Sequence, residues 1–174
     1  MMALCAMQCI DRKTAANRMI YEIHLYVPKT GGLTPKMMEW LYQYGLSEQP
    51  EAHWPVRKVK PMLLAKLLLE FDPNLKPVQG PGVDVELHYP DERLGLLLYV
   101  HERGVIIFFP YMAYNVLSKI VVGIAYTYIS FLYQAAGFWS YDPQLNVLSY
   151  ADDFQSMDEA VRLMDEAMPK MLPE

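Results

Sequence analysis

From Ile120 through Tyr141 the chain carries no charged side chain. A run of that length either crosses a bilayer or threads the middle of a core. At about 100° per residue, Asn115, Lys119, Tyr126, Ser130, Tyr133 and Gln134 gather on one side of a helical wheel. Leu117, Ile120, Ile124, Tyr128, Phe131, Leu132 and Ala135 gather on the other. A helix facing lipid all round has no use for a polar stripe, so the pattern predicts a long core helix within Tyr111–Gly137 and no membrane span. Lys119 is the only charge between Arg103 and Asp142 and is expected to reach solvent along its aliphatic stem.

A core helix needs a sheet or other helices to bury it, and the flanking sequence offers both. In Tyr21–Val27 the odd positions Tyr21, Ile23, Leu25 and Val27 are apolar while Glu22 and His24 alternate with them, the period of a strand buried on one face. Val83, Val85, Leu87 and Tyr89 alternate with Asp84, Glu86 and His88 in the same way. Leu94–His101 and Val105–Phe109 form a hairpin through Glu102-Arg103-Gly104. Short extended pieces at Phe138–Tyr141 and Val147–Leu148 flank an Asp142-Pro143-Gln144-Leu145-Asn146 turn. Thr34-Pro35 caps a helix that runs to Gly45, and Pro61 opens another that Asp72-Pro73 closes at Phe71, with Leu75 to Gly82 as loop. Ser156-Met-Asp-Glu159 reads as a capping box for a last helix to about Leu172. These elements give a single α+β domain with a four- or five-stranded, mostly antiparallel sheet. Helices pack mainly on one face, in the order β-α-α-β-β-β-α-β-α, over residues 19–174. Residues 1–18 show no periodicity and read as a loosely attached N-terminal extension. They lack the basic start and apolar core of a secretory signal, so a cytoplasmic location is expected.

The 174 residues suit one domain, and their net charge of −5 is unevenly placed. From Asp152 onward Asp152, Asp153, Asp158, Glu159, Asp165, Glu166 and Glu174 stand against Arg162 and Lys170, which accounts for the whole excess. A chain without a basic face has no footprint for nucleic acid, and none is expected as a partner. Cys5 and Cys9 are the only cysteines, too few for a Cys-based zinc site or a disulfide scaffold. Gly31-Gly-Leu-Thr-Pro-Lys36 lacks phosphate-loop spacing, and His101-Glu102 has no second His one turn on. Lys29-Thr30-Gly31 has no Ser-x-x-Lys to accompany it, and there is neither a nucleophile elbow nor a dinucleotide fingerprint. No cofactor or metal is expected.

Three clusters remain. If the two alternating strands pair, Glu22, His24, Asp84, Glu86 and His88 share one sheet face. Imidazoles and carboxylates so grouped suit a solvated face, a partner-binding face, or a metal or acid–base site. Arg57, Lys58 and Lys60 precede a helix N-terminus and are candidates for holding an anion. Asp158, Glu159, Asp165 and Glu166 fall on the outer side of the last helix, opposite Val161, Met164 and Met168, and suit a basic partner.

Phe131-Leu-Tyr-Gln-Ala-Ala-Gly-Phe-Trp-Ser-Tyr-Asp-Pro-Gln144 resembles a segment of small bacterial α+β proteins, some of them immunity-like, in which a helix ends at Gly and a short strand delivers Tyr-Asp-Pro-Gln. The resemblance implies a cytoplasmic bacterial protein that neutralises a toxin by binding it, and carries over no catalytic residue. The leading expectation is therefore a non-enzymatic protein-binding module. The alternatives are a metal-binding protein or hydrolase built on Glu22, His24, Asp84, Glu86 and His88, and a structural homo-oligomer.

Overall fold

The computed structural model describes residues 20–29, 32–44, 54–79, 82–111, 115–149 and 154–167. The expectation for residues 1–18 lies outside them. In chain order the elements are β1 (Ile20–Tyr26), α1 (Pro35–Tyr44), α2 (Pro61–Phe71), β2 (Lys76–Gln79), β3 (Val85–His88), β4 (Leu97–His101), β5 (Gly104–Pro110), α3 (Asn115–Ala136), β6 (Trp139–Asp142), β7 (Val147–Ser149) and α4 (Phe154–Ala167). The strands form one open antiparallel sheet in the order β2-β3-β4-β5-β1-β6-β7. The class is α+β, as the patterning requires, with seven strands where four or five were expected. The additional pairing comes from β2 and β7. Lys76-Pro77-Val78-Gln79 reads as loop because of its proline, yet an edge strand tolerates a residue without an N–H.

Alternation decides which side chains face the helices. Tyr21, Ile23 and Leu25 of β1 meet Phe109, Ile107 and Val105 of β5 in register, and Leu98 and Val100 of β4 continue the row to Leu87 and Val85 of β3. These residues form one buried cluster with Leu64, Ala65 and Leu68 of α2, Val121, Val122, Ala125, Tyr128, Ile129 and Leu132 of α3, and Ala160 and Met164 of α4. Three helices thus lie on one face. The fourth, α1, is capped by Thr34 Oγ1, which accepts from Met37 N at 3.2 Å. It packs Met38 and Leu41 on the other face against Tyr26 and Tyr141, with Leu33, Val56, Trp54, Trp139 and Leu148 around them.

Two helical expectations need correction. α4 begins at Phe154, so Ser156 is a buried residue inside the helix and the capping box does not form its start. In α3 the wheel placed Ile120 and Ala135 inward, yet Ile120 is 45% exposed and Ala135 is exposed. A helix apolar around most of its girth is oriented by fit, and here small Ser118 and Ala125 lie on the buried side, where they allow close approach. By length and composition α3 could cross a membrane, but its inner face belongs to the core.

Three Tyr–carboxylate bonds tie distant elements together. Tyr128 Oη of α3 donates to Asp72 Oδ2 at the end of α2 at 2.6 Å, and Tyr99 Oη donates to Asp84 Oδ2 at 2.5 Å. Tyr21 Oη donates to Asp142 Oδ2, whose other oxygen accepts from Gln144 N at 2.9 Å and Leu145 N at 3.0 Å. Burial holds the Asp142 carboxyl above its usual range despite those three donors. Tyr21→Phe, which removes one donor from a buried carboxyl, is expected to cost about 2 kcal/mol in urea denaturation at neutral pH. The raised pKa of Asp142 makes its contribution to stability larger at low pH and smaller as pH rises through its folded value. The Tyr21→Phe deficit should therefore narrow on acidification.

Candidate binding surfaces

The strand register lays out the second face of the sheet in rows. His101, Gly104, Tyr26 and Trp139 form the row at the β4–β5 turn. Glu86, Tyr99, Ile106, His24, Tyr141 and Leu148 form the next, then His88, Leu97, Phe108 and Glu22. Glu22, His24, Glu86 and His88 do share a face, and Asp84 meets it through Tyr99. The pairing that was to unite them does not occur, because β5 and β4 stand between β1 and β3 and hold them roughly 14 Å apart at the usual strand spacing. Glu86 and His88 form their own pair at 3.0 Å, and Glu22 Oε1 lies 3.6 Å from His24 Nε2. Among the described residues no group of three or more His, Cys, Asp and Glu side chains is placed to hold a metal. The five residues are thus divided between two separate places on the face, with one His–carboxylate pair in each.

The centre of this face is more buried than alternation implies. His24 and His101 are only 6% and 5% exposed. His24 Nδ1 lies 3.3 Å from Tyr26 Oη, the Tyr42 ring of α1 meets its imidazole edge-on at 5.4 Å, and the Tyr99 ring stacks on His101 at 5.6 Å. Arg103 lies over the Trp54 ring at 5.4 Å. His24 Nε2, His101 Nε2 and Arg103 Nε are buried without a hydrogen-bond partner. Burial, then Arg103 and His24, push the His101 imidazole down to about 3. Burial pushes the Tyr26 phenol up to about 12, with Arg103 opposing. An imidazole that weakly basic is a poor proton acceptor at neutral pH. The sequence offers no motif for Tyr26, Tyr99 and Arg103 and names His101 only as half of an incomplete zinc motif, although the parity of β4 is enough to place Tyr99 and His101 beside one another on this face.

Arg57, Lys58 and Lys60 are all exposed, and Lys58 Nζ is 3.0 Å from Glu102 Oε2. Lys60 is the N-cap of α2 and makes no side-chain cap bond.

On α4 Ala160 and Met164 are buried, Val161, Glu159 and Asp165 are half-exposed, and Asp158 and Glu166 are exposed, while Met168 and the expected helix end near Leu172 lie outside the described residues. Arg162 Nη1 is 2.9 Å from Glu166 Oε1. Between α3 and α4 runs an open groove of about 570 Å³ whose apolar lining is Met157 and Val161. Its charged lining is Asp158, Asp165, Glu166, Arg162 and, from α3, Lys119. Val116 and Ile120, 69% and 45% exposed, lie within one turn of Lys119 on α3. No protein-family model, curated protein or solved structure matches the chain.

Proposed function

We propose that the chain is a non-enzymatic protein-binding module that takes a basic, amphipathic segment of a partner protein along the α3–α4 groove, as the likeness of Phe131–Gln144 to immunity-like proteins suggests. The observation that supports this reading most is the groove itself, where Met157 and Val161 are bordered by three carboxylates, Asp158, Asp165 and Glu166, against the two cations Lys119 and Arg162. Apolar anchors fix such a segment while carboxylates speed its arrival and select its sign of charge. Exposed charges act over about 8 Å at physiological ionic strength, so capture should slow as salt rises.

Two substitutions separate the tasks of α4. Met164→Asp buries an unpaired charge and is expected to cost about 3 kcal/mol or more of stability. Replacing Asp165 and Glu166 by Lys leaves the fold intact and weakens binding of a lysine–leucine helical peptide, followed by fluorescence anisotropy, by about tenfold or more. Unchanged affinity in the charge-reversed protein would remove the groove from the account.

A further inference from the structure

One end of the sheet gathers cations beside apolar side chains that the core does not use. Val27, just past β1, accepts at its carbonyl from Arg57 N at 2.8 Å, and Val59 N donates to Glu102 O in the β4–β5 turn at 2.8 Å. α2 starts two residues later, so Arg57, Lys60 and the first turn of α2 share the end of the sheet where β4 turns into β5. Within that helix Pro61, Leu64, Ala65 and Leu68 turn inward. Met62 and Leu63 turn outward, 66% and 61% exposed. Val83 is 61% exposed and belongs to the same end, because Val85 pairs with Val100 next to the turn.

Outward positions on a helix are normally polar, and two adjoining large apolar side chains there need a cover. They protrude, so a protein partner would have to supply a matching cavity. A bilayer interface needs none: protruding apolar side chains enter the headgroup–acyl boundary while flanking cations meet anionic headgroups. We propose that this end of the molecule binds the surface of an anionic bilayer, with Met62 and Leu63 entering the boundary and Arg57 and Lys60 lying against the headgroup phosphates. The sequence expectation of no membrane partner came from α3 as a spanning helix; a surface contact by α2 is a different interaction, independent of the α3–α4 groove.

The test is co-sedimentation of the full chain with vesicles of phosphatidylcholine alone and of phosphatidylcholine with one-third phosphatidylserine. The protein is expected to pellet with the second and stay in solution with the first. Arg57→Ser with Lys60→Ser should lower the partition coefficient about 25-fold, roughly fivefold per cation. Met62→Ser with Leu63→Ser should lower it about tenfold or more, with the thermal midpoint unchanged because both side chains are mostly exposed. The proposal is overturned if the protein pellets with neither vesicle, or if the Met62/Leu63 variant pellets as well as the parent. Tighter binding of soluble polyglutamate than of the anionic vesicles would also overturn it, by assigning this end to an acidic protein.

Discussion

Gly104→Ala is expected to lower the melting temperature by about 6–12 °C, the equivalent of roughly 3 kcal/mol in a domain of this size. A Cβ at this position would stand 2.0 Å from the carbonyl oxygen of Leu25 and 3.3 Å from Tyr26 Cδ1. The obstacle is the backbone of β1, an interior strand of the sheet, so no side-chain rotation relieves it. β4 and β5 are joined by the two residues Glu102 and Arg103, with His101 opposite Gly104, and the tight turn presses the start of β5 against the end of β1. Gly123 of α3 is the matched control, since a Cβ there meets nothing within 4 Å. Gly123→Ala should stabilise the protein by about 0.5–1 kcal/mol through helix propensity. Differential scanning calorimetry of both variants would contradict the packing described if Gly104→Ala melted with the parent.

Acidification should destabilise the protein steeply below neutral pH, and His101 should be a main cause. Its folded pKa is depressed to about 3 from 6.5, so its contribution is fully present above 6.5 and is lost as pH falls toward 3. By pH 4 the loss is on the order of 3 kcal/mol. The Tyr99 ring stacks on His101 and Arg103 and His24 act on it, so a protonated His101 would put a second positive charge beside Arg103 in a buried place. Asp142 acts in the opposite sense, gaining as pH falls, and does not produce this loss. Urea midpoints at pH 7 and pH 4 should converge for His101→Gln far more than for the parent protein. Equal pH dependence in the two would show that the ring is not held neutral by its surroundings.

What the sequence made legible was local. Pro61 and Asp72-Pro73 bound α2 at the residues the structure shows, because a missing N–H and a restricted pre-proline conformation act within one turn. Period-two alternation placed Tyr21, Ile23, Leu25, Val85 and Leu87 in the core, and amphipathicity turned Asp158 and Glu166 of α4 to solvent. Parity assigns a side chain to a face but does not name its neighbouring strand. Glu22 and His24 therefore fell on the expected face while β5 and β4 separated them from Glu86 and His88. The burial of His24 was hidden for a related reason: α1 and the Trp54–Val56 segment reach this side of the sheet only through tertiary packing. The groove was half visible. Its acidic lining follows from the helical wheel of α4, whereas the exposure of Val116 and Ile120 beside it depends on how a helix apolar round most of its girth settles on the sheet.

Hydrogen exchange of the full chain, measured with and without a saturating lysine–leucine helical peptide, tests the proposed binding mode most directly. Bound peptide is expected to slow exchange in the first two turns of α3, around Val116–Gly123, and along Met157–Glu166 of α4, with β2–β4 unchanged and the protection lost when Asp165 and Glu166 are replaced by Lys. Protection centred on Glu86, His88 and Tyr99 of the second sheet face, or none anywhere in the chain, would contradict it.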